Sequence, residues 1–126
     1  MGEIGIEVVT LFVADIVETR AFYERVFDVP VVYVDAVSAV FGFSGAMINL
    51  LADSEAPPLM APLPVGKGGV RSLLTIKVDD VDAECARLRG LGVTLINGPH
   101  DRPWGRRTAA FADPAGHVWE VAQSIS

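Results

Sequence analysis

Two stretches of the chain, 11-LFVADIVETRAFYERVFDV-29 and 76-IKVDDVDAECARLRGLGV-93, carry the same pattern 65 residues apart. Val13 falls on Val78, Asp15 on Asp80, Ile16 on Val81 and Tyr23 on Leu88. Each copy reads as an apolar strand, an Asp and then an amphipathic helix. An Asp in that place accepts the free backbone N–H groups of a first helical turn, and Asp15-x-x-Glu18 has the form of a capping box. Past the cap, Phe22, Tyr23 and Val26 in one copy, and Val81, Cys85 and Leu88 in the other, recur at helical spacing. Such a stripe is how a helix covers a sheet, and Cys85 reads there as a small buried hydrophobe.

Farther along, 45-GAMINLLA-52 lands on 116-GHVWEVAQ-123 at an offset of 71, which pairs Gly45 with Gly116 and Asn49 with Glu120. The growth in offset implies an insertion in the second copy, placed in 97-NGPHDRPWGRR-107 and read as a loop. Between the copies lies 52-ADSEAPPLMAPLPVGKGG-69, with four prolines and three glycines. It has no periodicity and reads as a linker without regular elements. Each half then runs strand, helix and three strands: 6–13, 15–27, 30–35, 37–43 and 46–51, then 70–78, 80–90, 93–96, 107–112 and 117–122. The fold class is α+β, two tandem βαβββ modules in one domain, 1–126, with module one at 1–52, the linker at 53–69 and module two at 70–126.

Composition narrows the classes of function. The chain has 126 residues, 51% hydrophobic, and no apolar run near the ~20 residues of a membrane span. No signal peptide or myristoylation pattern is visible at MGEIGIEVVT. A net charge of −6 argues against nucleic acid, where phosphate neutralisation dominates binding. A single cysteine excludes an internal disulfide and suits a reducing compartment, so a cytoplasmic location is expected.

With 103-PWGRRT-108 and the closing strand 111-FADPAGHVWE-120 added to the repeat, the chain resembles the vicinal oxygen chelate superfamily of glyoxalases, bleomycin-resistance proteins and extradiol dioxygenases. It is most similar to the metal-free, bleomycin-resistance-like members. The resemblance implies mixed sheets curled around a cleft and a homodimer. In the metal enzymes of the family, the first and last strands of each module each supply one ligand, usually His, Glu, His or Gln, and Glu. Carried over, those positions are Val8, Asn49, Leu73 and Glu120. Val8 and Leu73 have no atom to donate, and His100 and His117 match none of the four positions. No metal and no cofactor are therefore expected.

Glu120 carries the functional question. Strand alternation groups it with Val118 and Ala122 and turns Trp119 and Val121 toward the helices. A carboxylate in an apolar strand must be paired or hydrogen-bonded. It is either an ion-pair partner of Arg71, Arg106 or Arg107, or a group that contacts a ligand or acts as a general base. Trp104 offers a flat surface for stacking an aromatic ligand, with neighbouring Arg for cation–π or carboxylate contacts. The alternative is that it caps the end of the barrel. Arg106 and Arg107 are expected to split, one inward and one solvated. Thr10, Phe12, Met47, Asn49, Leu73, Thr75 and Lys77 complete the inward set. By contrast, 113-DPAG-116 is a turn signal without chemistry.

The expectation is a binding protein for a small aromatic or polar molecule, as in antibiotic sequestration. The competing one is a lyase, isomerase or dioxygenase-type enzyme using Glu120 as acid/base or an atypical metal site. A purely structural or regulatory module would leave the inward polar groups without a task.

Overall fold

A computed structural model describes residues 4–125, and the chain divides into two units, Met1–Lys67 and Gly68–Ser126. Unit one contains β1 (Val8–Val13), α1 (Ile16–Val26), β2 (Val31–Val34), β3 (Ser38–Gly42) and β4 (Met47–Ala52). Its open sheet has the order β1-β4-β3-β2, with β1 parallel to β4 and the other pairs antiparallel. Unit two repeats this with β5 (Leu73–Lys77), α3 (Val81–Gly90), β6 (Leu95–Arg102), β7 (Arg106–Ala112) and β8 (Val118–Ser124). Its order is β5-β8-β7-β6, again with one parallel pair, β5–β8. The α+β class and the duplicated βαβββ plan are thus those of the sequence.

The caps form where the repeat puts them. Asp15 Oδ1 accepts the Glu18 N–H at 3.0 Å, and Asp80 Oδ1 accepts the Ala83 N–H at 3.1 Å. Both Asp residues have extended backbone, so each chain turns sharply into its helix. The apolar stripes then bury themselves. Thr19, Phe22, Tyr23 and Val26 of α1 are buried, as are Leu11, Val13, Phe41, Ile48 and Leu50 of the sheet beneath. Tyr23 is fully buried, with its ring 5.7 Å from Phe41 and 5.2 Å from Phe27. Each such large apolar side chain contributes roughly 1.5–3 kcal/mol. In unit two, Val81, Cys85 and Leu88 are buried with Phe111, Trp119 and Val121. Burial pushes the Cys85 thiol pKa upward, as fits a hydrophobe.

Three expectations need correction. Residues 53–69 do hold regular elements: a 3-10 turn over Asp53–Glu55 and one helical turn, α2 (Pro57–Met60). Pro57 and Pro58 fill first-turn positions, where their missing N–H groups cost nothing, so the prolines start the turn rather than prevent it. Strands β1 and β5 begin at Val8 and Leu73, later than residues 6 and 70, because their partners β4 and β8 begin at Met47 and Val118.

The third correction reshapes the site. The inserted segment is a long hairpin, not a loop: β6 continues through Asn97–Arg102 and only residues 103–105 turn. Both modules share one bulge, between Val31 and Tyr33 in β2 and between Leu95 and Asn97 in β6. Module two adds another between Asn97 and His100, where Asn97 pairs with Ala110 but His100 with Thr108. Two residues there, Gly98 and Pro99, oppose one, Ala109. The second bulge is carried by Gly98, at φ +83°, where an added Cβ would lie 2.5 Å from the Thr108 carbonyl oxygen. Only glycine allows so close an approach.

Candidate functional site

Each sheet has one face against its helix and one turned away, and strand register sorts the side chains between them. In module two the face away from α3 is built in rows. Leu73, Val118 and Ala112 form an apolar row, followed by Thr75, Glu120, Ala110 and Asn97. Lys77, Ala122, Thr108 and His100 come next, and Ser124, Arg106 and Arg102 close the series. The face therefore grades from apolar, through a carboxylate, to a cationic end.

Glu120 sits in the middle of this gradient. The parallel pairing of β5 with β8 places Thr75 beside it, and the Thr75 hydroxyl donates to Glu120 Oε1 at 3.0 Å. No Lys or Arg among the described residues forms an ion pair with it, so Arg71, Arg106 and Arg107 do not play the partner role considered for them. One hydrogen bond holds the carboxylate in orientation and leaves acceptor capacity over, since an ionised carboxylate can take about four.

The two adjacent arginines lie on opposite faces of β7, and Arg107 is ion-paired on the helix side and not the solvated member of a pair. Arg107 lies on the helix side, donating to Asp82 of α3 at 2.9 Å and to Asp101 of β6 at 2.9 Å. It ties helix to hairpin and is turned away from Glu120. Arg106 lies on the Glu120 face, and its Nε is buried without a hydrogen-bond partner. Arg102 lies across from it, donating from Nε to Thr108 Oγ1 at 3.0 Å, with its guanidinium 5.8 Å from the Trp104 ring centroid. Trp104 stands 66% exposed at the hairpin tip and does not enter the core.

Arg102, Asn97, His100 and Thr108 join this face although they were not among the candidate residues. Simple alternation from Asn97 would have placed Asp101 beside it and turned Arg102 to the helix. The bulge reverses that assignment. A glycine inside a strand pattern was the available signal.

In module one the corresponding face carries Thr10, Asn49, Val40 and Tyr33 in one row, with Val8, Met47 and Gly42 to one side and Phe12, Leu51 and Ser38 to the other. Asn49 Nδ2 donates to Thr10 Oγ1 at 3.3 Å, while Asn49 Oδ1 is buried without a partner. Thr10, Phe12, Met47 and Asn49 thus share one face of their own module, and Leu73, Thr75, Glu120 and Arg106 share one face of theirs.

A divalent metal does not fit the side chains present. Of the four inherited positions, Val8 and Leu73 are aliphatic, Asn49 gives its amide to Thr10 and Glu120 is engaged by Thr75. Among the described residues no three or more of His, Cys, Asp and Glu converge. The turn at Asp113 is structural, as its carboxylate accepts the Ala115 and His117 N–H groups at 2.9 Å.

These features agree with known proteins. The chain belongs to the Glyoxalase/Bleomycin resistance protein/Dioxygenase superfamily, whose family model matches residues 5–121. It is 29% identical over 123 residues to the uncharacterized protein YraH of Bacillus subtilis, covering 93% of this chain and 96% of that one. It is similar in structure to a glyoxalase/bleomycin resistance protein/dioxygenase family enzyme of Burkholderia phytofirmans, with a TM-score of 0.83, 22% identity and coverage of 94% and 98%. A lactoylglutathione lyase of Agrobacterium tumefaciens superposes with a TM-score of 0.75 at 24% identity, covering 94% of this chain and 92% of that one. At these identities the structural likenesses concern fold. No helix among the described residues is long and apolar enough to cross a membrane.

Proposed function

We propose that the protein binds a small aromatic or polar organic molecule, without a metal, on the face of module two that carries Glu120. The observation behind this reading is a carboxylate oriented by one hydroxyl, with no cation partner among the described residues, in a sheet that could have held an apolar side chain more cheaply. Its spare acceptor capacity suits a donor on a ligand. Trp104 supplies an exposed aromatic surface at one end and Leu73, 51% exposed, an apolar one at the other. An apolar surface with a few convergent polar groups is the usual form of a small-molecule site. Sequestration, as in bleomycin resistance, is the biological role that fits a site of this kind.

The enzyme reading would make Glu120 the acid/base. A general base must lie within hydrogen-bond reach of the proton it takes, and His100 and Lys77 stand in the row beside Glu120 as further titratable groups for that reading. Exposed apolar side chains on β2 (Val31, Val32 and Tyr33) and in 59–63 (Leu59, Met60 and Leu63) support a homodimer. A single buried cysteine fits the cytoplasm.

The experiment is a thermal-shift screen over antibiotics and aromatic metabolites, repeated with Glu120→Gln and followed by product analysis of each hit. Hits that bind without turnover and lose affinity in Glu120→Gln support the reading. A product that disappears in Glu120→Gln would replace it with the enzyme. Stoichiometric metal in the purified protein, with a large rise in melting temperature on adding Ni, Zn, Fe or Mn, would overturn metal independence.

A further inference from the structure

Beside the turn at the tip of the β6–β7 hairpin, Arg102 and Arg106 are direct cross-strand partners on one face. Like charges placed opposite each other destabilise a sheet, so this pair opposes folding. Among the described residues neither arginine has a carboxylate partner, although the chain carries 16 Asp and Glu. Arg20 meets Glu24, Arg87 meets Glu84 and Arg107 meets both Asp82 and Asp101, whereas Arg25, Arg71 and Arg89 share with this pair the lack of an ion pair among the described residues. Asp101 is the carboxylate nearest in sequence, and the bulge at Gly98 turns it away to the helix side.

The local geometry is that of a receptor for an anion. Arg102 is held in place by its Nε bond to Thr108 Oγ1 and by the Trp104 ring. Arg106 keeps its Nε buried and unbonded, a donor removed from water with nothing to donate to. Guanidinium forks match the planar geometry of a carboxylate and bond it in pairs. The nearest acidic group on the same face, Glu120, is four residues along the strand from this pair, roughly 13 Å at normal strand rise.

Resting on the small-molecule reading above, we infer that the ligand is an organic anion whose carboxylate is bound between Arg102 and Arg106. Its ring system stacks at Trp104, and a hydrogen-bond donor at its far end reaches toward Glu120. The site selects for negative charge at one end and for a donor at the other. That combination excludes simple hydrocarbons and cations.

The test uses pairs of isosteres, benzoate against benzamide and naphthoate against naphthamide, followed by thermal shift and titration calorimetry on the whole protein. The acids should raise the melting temperature and the amides should not, at equal concentration. Arg106→Gln and Arg102→Gln should each weaken acid binding by about ten-fold or more. Without ligand, Arg106→Gln should melt at or above the parent temperature, since it removes a like-charge contact and a buried donor without a partner. Arg87→Gln, on the exposed side of α3, should bind as the parent does. Amides that bind as well as the acids, unaffected by either variant, would overturn the anion inference while leaving the small-molecule site standing. Failure of every acid to bind would overturn it too. So would variants that lose stability without losing affinity, because the pair would then be structural. Glu120→Gln tests the other end independently: it should leave benzoate, which carries no distal donor, unaffected.

Discussion

Gly98→Ala puts the hairpin geometry to a direct test. An alanine Cβ at that position would lie 2.5 Å from the Thr108 carbonyl oxygen, 2.8 Å from Ala109 Cα and 3.1 Å from Ala109 Cβ. The first two are backbone atoms of the partner strand, so relief requires shifting β7 and not merely rotating a side chain. The left-handed conformation, φ +83°, adds about 1–2 kcal/mol for any L-residue. Overpacking of this kind costs about 1–3 kcal/mol more. The sum is about 2–5 kcal/mol. For a chain of this length 1 kcal/mol moves the melting point by about 4 °C, so Gly98→Ala should melt about 8–20 °C lower. Gly116→Ala is the matched control, with φ +93° but no atom within 4 Å of its Cβ. It should lose only the conformational part, about 4–8 °C. Thermal denaturation followed by circular dichroism reads both. Equal losses in the two variants would refute the close approach, and with it the bulge as the device that orients His100 and Arg102.

Further outcomes follow from other residues. Asp80→Ala and Asp15→Ala each remove a helix cap and should cost about 1 kcal/mol, seen as a drop of about 4 °C. Cys85 should react with a thiol reagent far more slowly in the native protein than after denaturation, since it is buried and its pKa is raised by desolvation; equal rates would contradict that burial. Asp35 accepts the Val37 and Ser38 N–H groups and the Tyr33 hydroxyl, and these bonds lower its pKa. Its contribution to stability is therefore complete above the ordinary Asp range and fades as pH falls through the lowered native value. NMR titration should show the Asp35 midpoint rising in Tyr33→Phe, and an unchanged midpoint would remove the tyrosine from the account.

Much of this fold was legible because it is stated twice. The Asp caps and the apolar stripes of α1 and α3 depend on local spacing, which a linear sequence displays directly. What misled were residues with more than one structural use. Pro57 and Pro58 look like helix breakers, yet at a first turn they start α2. Asn97-Gly98-Pro99 looks like a turn, yet β7 supplies a ladder and the segment becomes a bulged strand. The same bulge explains why the candidate site was half visible. Glu120, Thr75 and Leu73 follow plain alternation in short strands and were placed on one face. Arg102 and His100 lie beyond an extra residue, so counting by twos assigns them to the wrong side. The partners of Arg107 were hidden for another reason, as Asp82 is 25 residues away and is brought near only by the packing of α3.

The Gly98 bulge also means that the sign of charge presented by this hairpin depends on strand register as well as on composition. Were the segment from Asn97 to His100 to run straight with every residue retained, Asp101 instead of Arg102 would pair with Arg106 on the Glu120 face, and the turn would lengthen by one residue. A cationic end would become one of mixed charge with no charged residue substituted. Deleting one residue at 98 or 99 would instead remove the bulge and leave His100 and Arg102 on the Glu120 face, which separates the bulge itself from the side chains it presents.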